Sequence, residues 1–226
     1  MGEDLTEGEM EPEDFIKGLI DLTGHPIISF IAAPVAERIR RTRLEAGVQA
    51  LRERMATGAP WAFREHEAAS LIFDFLRAAE DGTAKRNLEI MADLIANGLG
   101  EQGLAEEAIR HLMKTIASLS YDELRVLAAF VRAVRGLSPL GDGAPSDAFQ
   151  RTSEIWEAVW KDLAQPGDTA PSMEVFARAG ALQRTGLLVA HSAFGGIVYG
   201  PGPALLDIER LSDVVDLMAR TDKLRR

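Results

Sequence analysis

Four arginines, Arg38, Arg40, Arg41 and Arg43, form the densest basic cluster in the sequence. Guanidinium groups recognise phosphates and carboxylates, so the cluster is a candidate site for an anionic partner, either lipid headgroups or nucleic-acid phosphates. Glutamates three or four residues away could instead pair with these arginines along a helix, which would make the cluster an ordinary solvated helix face. We favour the solvated face and keep the anion site as the alternative.

A metal site has one candidate segment, Glu65-His66-Glu67, in which a histidine stands between two carboxylates. Neighbouring residues on a helix point in different directions, whereas metal ligands on one helix recur at three- or four-residue spacing. The sequence also contains no cysteine, which excludes disulfides, thiolate nucleophiles and cysteine-based zinc sites. We therefore expect neither a metal nor another cofactor.

Catalytic motifs are equally scarce. Ser192 follows His191, but the Gly-x-Ser-x-Gly pattern of a nucleophile elbow is missing. Gly195 and Gly196, and the glycines at positions 200 and 202, lack the Lys-Ser/Thr pair of a phosphate-binding loop. We assign no catalytic residue and expect a protein that is not an enzyme.

The charge of the chain limits its partners and its location. A formal charge of −10 and a pI of about 5.0 disfavour a general nucleic-acid binder, which needs a surplus of basic residues to neutralise phosphates. Residues 1–14 contain seven acidic and no basic residues, a composition that predicts a disordered acidic tail. Such a start is the reverse of a secretory signal, so we expect a cytoplasmic protein.

Residues 15–136 are predicted to form a helical domain, because their apolar residues recur at three- and four-residue spacing. Its clearest feature is the helix boundary at Ser120, where Ser120 and Glu123 can form a capping box and Leu119 can pack on Leu124. The most apolar run, residues 27–33, is far shorter than the roughly 20 residues of a membrane-spanning helix. The domain is thus predicted to be a bundle of soluble helices.

Residues 137–146 contain proline, glycine and serine without an apolar period and are predicted to be a linker. Beyond it, residues 147–226 have the pattern helix, helix, two short strands, helix, with the strands at 187–190 and 197–199 and a last helix over about 204–220. Trp156 and Trp160 lie four residues apart on the first of these helices and are expected to be core residues rather than a ligand platform.

A helix followed by a hairpin is typical of a winged-helix-like module, in which the helix before Gly186 would be the recognition helix. Its outward residues would be Arg178, Gln183 and Arg184. The module has fewer basic than acidic residues, so nucleic-acid binding is not expected of it. The predicted fold class is mainly α: a multi-helix bundle followed by a small winged-helix-like α/β-hairpin module.

Four segments resemble the Abi-alpha group of bacterial abortive-infection proteins. They are an N-terminal helix with a basic flank, LEIMADLIANGL over 88–99, IASLSYDELRVLAAF over 116–130, and ALQRTGLLV over 181–189 followed by a hairpin. The resemblance implies a role in phage resistance through a partner and supplies no active site to transfer.

Two functions from different classes follow. The first is a non-catalytic cytosolic interaction or regulatory protein, with a protein partner or self-association and a context in phage defence. The alternative is a peripheral membrane protein that uses the apolar segment 27–33 and the arginine cluster 38–43. The acidic charge of the chain disfavours the alternative, because anionic headgroups repel it.

Overall fold

The computed structural model describes residues 33–55, 65–99, 103–137, 145–164, 172–193 and 196–225. Three predictions therefore lie outside the described residues: the acidic tail 1–14, the apolar segment up to residue 32, and most of the linker 137–146. The described residues form nine helices and one two-stranded antiparallel sheet, which confirms the predicted class of a helical bundle with a small hairpin.

The elements run in the following order along the chain: α1 (Ala33–Met55), α2 (Glu65–Glu80), α3 (Lys85–Gly98), α4 (Glu106–Ser118), α5 (Tyr121–Gly136), α6 (Pro145–Leu163), α7 (Met173–Arg184), β1 (Leu188–Ala193), β2 (Gly196–Pro201), α8 (Pro203–Leu211) and α9 (Val214–Arg225).

The predicted boundary between α4 and α5 is present with its complete capping box. The Glu123 backbone N–H donates to the Ser120 hydroxyl at 3.3 Å, and the Ser120 backbone N–H donates to the Glu123 carboxylate at 2.8 Å. Leu119 and Leu124 on either side of the cap are both buried, as expected for a hydrophobic staple. This junction fixes the angle at which α5 leaves α4.

Two helices organise the core. α3 packs against α1, α2, α4 and α8, while α5 packs against α6, α7, α8 and α9. The buried residues on both sides of residues 137–146 form one continuous hydrophobic core. The predicted C-terminal module therefore shares its core with the helices that precede it.

The hairpin lies where the sequence predicts it. β1 and β2 pair with Leu188 opposite Pro201 and Ser192 opposite Ile197. α7 packs against β1 and α6 packs against β2, so a helix adjoins each strand. The hairpin is thereby anchored to the bundle at its base.

Two boundaries differ from the prediction. α6 begins at Pro145, so the last two residues of the predicted linker are helical; proline suits a first helical turn because its missing N–H has no helical partner there. The predicted last helix over 204–220 is in fact two helices, because Ser212 adopts extended backbone and a new helix begins at Val214, with the Asp213 carbonyl accepting from the Leu217 N–H. Serine and aspartate favour helix starts over helix interiors, which explains the break.

Candidate functional site

The predicted anion site lies on the first half of α1, where its four arginines divide into two pairs. Arg40 forms an ion pair with Glu80 of α2 at 3.0 Å, and Arg43 extends over Gly82 in the turn after α2. Arg38 and Arg41, three residues apart, lie on a different side of α1, and both are exposed. The anion-site interpretation requires the four guanidinium groups to share one face of α1, and they do not.

The acidic neighbours of this cluster favour the solvated-face interpretation. Arg41 pairs with Glu45 one turn along α1 at 2.9 Å, with both side chains mostly exposed. Exposed pairs of this kind contribute about 1 kcal/mol or less. Arg40 and Arg43 contact the end of α2 and the turn after it, although all four arginines are exposed.

The predicted recognition helix, α7, packs against the first turn of α5. Arg178 approaches Asp122 of α5 at 3.5 Å and Glu174 of its own helix at 3.7 Å. Gln183 and Arg184 are exposed at the end of α7. Of the three predicted recognition residues, Arg178 thus forms ion pairs within the chain, whereas Gln183 and Arg184 are presented outward.

Electrostatics at this contact also favour a structural role for α7. Burial alone would raise the pKa of the Glu123 carboxyl, but its hydrogen bonds to Ser120 and the charges of Arg178 and Arg184 together hold that pKa below the ordinary value. The basic residues of α7 therefore neutralise the acidic start of α5. A DNA backbone would have to compete with carboxylates of the same chain.

Trp156 is a core residue, as predicted. Its ring lies 6.0 Å from Phe130, 5.3 Å from Phe176 and 5.2 Å from Tyr199, measured between ring centroids. These four rings come from α5, α6, α7 and β2, so the cluster joins the hairpin to three helices. Trp160 is half-buried and packs against the same core, which confirms the core interpretation for both tryptophans.

The two histidines whose side chains are described lie on different elements. His111 is exposed on α4, and His191 is half-buried on β1 beside Gly200 and Thr152. The side chain of His66 and the whole of His25 lie outside the described residues. Across the described ranges, no group of three or more histidine, aspartate or glutamate side chains could hold a metal ion.

The sequence analysis missed a buried carboxylate, Asp93 of α3, whose side chain is only 5% exposed. One carboxylate oxygen lies 3.2 Å from Arg54 Nε, in the last turn of α1. The other accepts a hydrogen bond from the Asp213 backbone N–H at 3.1 Å. Burial raises the pKa of Asp93 to about 6, and that hydrogen bond and Arg54 offset the effect only in part.

Asp93 belongs to a set of polar side chains that hold the junction of α8 and α9, residues 209–213, which we call the α8–α9 corner. Asn97, one turn further along α3, donates to the Leu211 carbonyl at 2.9 Å. Arg135 of α5 donates to the Glu209 carboxylate and carbonyl at 2.9 and 2.7 Å. The Asp213 N–H and the Glu209 and Leu211 carbonyls at the corner are thus bonded by side chains from two other helices.

The sequence carries a signal for only part of this arrangement. Apolar residues cover most of the circumference of α3, with Ile90 and Leu94 beside Leu88, Met91 and Ile95, and such a wide apolar surface indicates packing on several neighbours. Asn87 and Asp93 are buried with them, whereas Lys85 and Asn97 are exposed. The partners on α1 and the α8–α9 corner could not be inferred, because they are distant in sequence.

Exposed large apolar side chains are concentrated in the C-terminal module. Of six such residues among those described, Phe73 alone precedes residue 145; the others are Phe149, Met173, Val189, Ile197 and Leu206. Met173, at the start of α7, is 84% exposed, and Ile197, near the hairpin turn, is 50% exposed. We call these five the apolar positions of the C-terminal module.

Searches for related proteins and for membrane segments gave negative results. No helix within the described ranges is both long and apolar enough to cross a bilayer. Comparison of the chain with protein-family models, with curated proteins and with solved structures found no match.

Proposed function

We propose that this chain is a non-catalytic interaction or regulatory protein of the cytoplasm, which binds a protein partner, or a second copy of itself, through its C-terminal module. The observation that carries this proposal is the concentration of exposed apolar side chains on that module, headed by Met173 and Ile197. Scattered apolar residues are normal on any surface, but apolar and aromatic side chains are also the usual anchors of protein interfaces.

The ion pairs at α7 support a protein partner over nucleic acid. Because Arg178 is engaged by Asp122 and Glu174, the helix that would enter a DNA groove is held by acidic residues of the same chain. The overall charge of −10 works in the same direction. The resemblance to the Abi-alpha group, given above, suggests phage defence as the context of the interaction.

The test is a matched comparison of surface variants. The wild-type chain, the double variant M173S/I197S and the control F73S would be immobilised and exposed to lysate of the native host, and sedimentation would give each oligomeric state. We expect wild type and F73S to retain the same protein or to self-associate, and M173S/I197S to lose at least tenfold of that binding. Equal binding by all three variants would refute the proposal.

The second candidate, peripheral membrane binding, is supported by the outward side of α1. Arg38 and Arg41 are exposed there, and each basic residue near an anionic surface contributes on the order of 1 kcal/mol. The test is flotation with vesicles rich in phosphatidylserine at physiological salt, using R38Q/R41Q as the variant and K161Q as the control. We expect no flotation of wild type; flotation that is lost only in R38Q/R41Q would put this candidate first.

A further inference from the structure

We propose that the α8–α9 corner is a proton-controlled joint, held most firmly when Asp93 is protonated and opening more readily when Asp93 is ionised. The inference is independent of the proposed function. It rests on the position of Asp93 between the last turn of α1 and the corner, where its two oxygens reach Arg54 and the Asp213 backbone N–H.

The first step of the argument is that Asp93 is enclosed. Its residue is 4% exposed, and it lies on a helix that packs against α1, α2, α4 and α8. A carboxylate in such a place loses most of its hydration, a cost that one ion pair repays only with good geometry and further hydrogen bonds. Here Arg54 Nε lies 3.2 Å from one carboxylate oxygen and the Asp213 amide nitrogen lies 3.1 Å from the other.

The second step concerns the charges around it. Arg54 from α1 favours the ionised form, whereas Asp213 at the corner and Glu89, one turn earlier on α3, both disfavour it. Glu89 is itself 3.8 Å from Lys85, on the exposed side of the helix. Burial is the largest influence and raises the pKa of Asp93 to about 6, while the Asp213 backbone hydrogen bond and Arg54 oppose it.

The third step is the direction of the response. When the corner opens, Asp93 meets water and its pKa returns towards the ordinary value of 3.8. The closed state therefore binds the proton more tightly than the open state, and falling pH shifts the equilibrium towards the closed state. Between about pH 7.5 and about pH 5 the protection of the corner should rise roughly tenfold, because ionisation with a pKa near 6 is largely reversed over that range.

The protonated carboxyl of Asp93 keeps its hydrogen bond from the Asp213 N–H at the corner. The carbonyl oxygen of a protonated carboxyl still accepts a hydrogen bond, so the Asp213 N–H does not lose its partner on proton uptake. Asn97 and Arg135 hold the neighbouring carbonyls with groups that do not titrate in this range. Acidification thus removes the buried charge of Asp93 and leaves the hydrogen bonds that hold the corner in place.

The experiment is residue-resolved hydrogen exchange of the full chain at several pH values, corrected for intrinsic rates and read at the Asp213 and Leu217 amides. We expect protection in the wild type to rise about tenfold between about pH 7.5 and about pH 5, with the rise beginning near pH 6. Amides at the α4–α5 junction, capped by Ser120, serve as the internal reference and should not follow this rise.

Three variants make the test specific to Asp93. The D93N variant carries a neutral amide whose oxygen can still accept the hydrogen bond from the Asp213 N–H. Its corner amides should be strongly protected at both low and high pH, so the pH-dependent rise in protection should vanish. R54Q should move the pH at which the rise begins to a higher value and E89Q should move it to a lower value, because one removes the favourable charge and the other an unfavourable charge. A merely structural role for Asp93 would produce neither shift.

The opposite results would overturn the proposal. They are wild-type corner protection that stays constant or falls on acidification, or a transition that survives in D93N. If D93N fails to fold, the opposed shifts of R54Q and E89Q decide alone, and a rise that begins at the same pH in both variants refutes the joint.

Discussion

Gly202, which joins β2 to α8, is the glycine among the described residues at which an added methyl group would approach another backbone most closely. Its backbone N–H donates to the Leu187 carbonyl at 2.9 Å, which brings it against the turn at the start of β1. A Cβ on residue 202 would lie 2.4 Å from the Gly186 carbonyl oxygen and 3.1 Å from that of Leu187. Both obstacles are backbone atoms, so no side-chain rotation can relieve the contact.

The size of the effect follows from these distances. Forcing extra atoms into a filled space costs about 1–3 kcal/mol, and more where backbone must move. Replacing glycine by alanine also reduces the entropy of the unfolded chain, which returns about 0.4–1 kcal/mol. We therefore expect G202A to lower the free energy of unfolding by roughly 2–3 kcal/mol, or Tm by about 5–10 °C for a domain of this length.

The assay is thermal and urea unfolding of G202A beside two alanine controls. At Gly136 an added Cβ would meet nothing within 4 Å, so G136A should leave Tm within about 2 °C of the wild type. G186A has open space but a φ of +78°, and should cost about 1–2 kcal/mol from backbone strain alone. If G202A unfolds at the same temperature as G136A, the close packing of the two turns is wrong.

Three further predictions concern the core, the buried carboxylate and the arginines. W156A should lower the free energy of unfolding by about 3–5 kcal/mol in urea titrations, because it empties the centre of the four-ring cluster; a loss below 1 kcal/mol would contradict the burial. Because the folded-state pKa of Asp93 is raised, its contribution to stability is fully present below its unfolded value of 3.8 and declines by about 3 kcal/mol as pH rises through 6; D93N should remove that part of the pH dependence, and an unchanged profile would refute it. R40Q/R41Q should reduce stability by at most about 1 kcal/mol, since both ion pairs are exposed, and a larger loss in calorimetry would assign them a structural role beyond the observed pairs.

The features that were predictable from the sequence are those set by near neighbours. The capping box depends on Ser120 and Glu123, three residues apart, and the hairpin on two short β-prone runs; both were predicted where they occur. The burial of Trp156 followed from its size and its position on an apolar stripe.

The features that escaped prediction depend on residues far apart in the chain. Asp93 meets Asp213, 120 residues away, and Asn97 meets Leu211, 114 residues away. The break at Ser212 is stabilised by those same contacts, so a continuous apolar period from 204 to 220 could not reveal it. The four arginines show the converse: their density in sequence suggested one patch, whereas their spacing on α1 separates Arg38 and Arg41 from the pair that contacts α2 and the turn after it.

The contact between α3 and α8 also determines the order in which contacts can form while this protein is being synthesised. During synthesis, α3 leaves the ribosome more than a hundred residues before the α8–α9 corner, and until then Asp93 and Asn97 have no Asp213 or Leu211 to meet. Contacts of such separation form late, because a long loop must close before they are made. Throughout that interval, the apolar and polar side chains of α3 that α8 later covers would be exposed to the cell. A chaperone or a premature partner could then occupy the place later taken by α8.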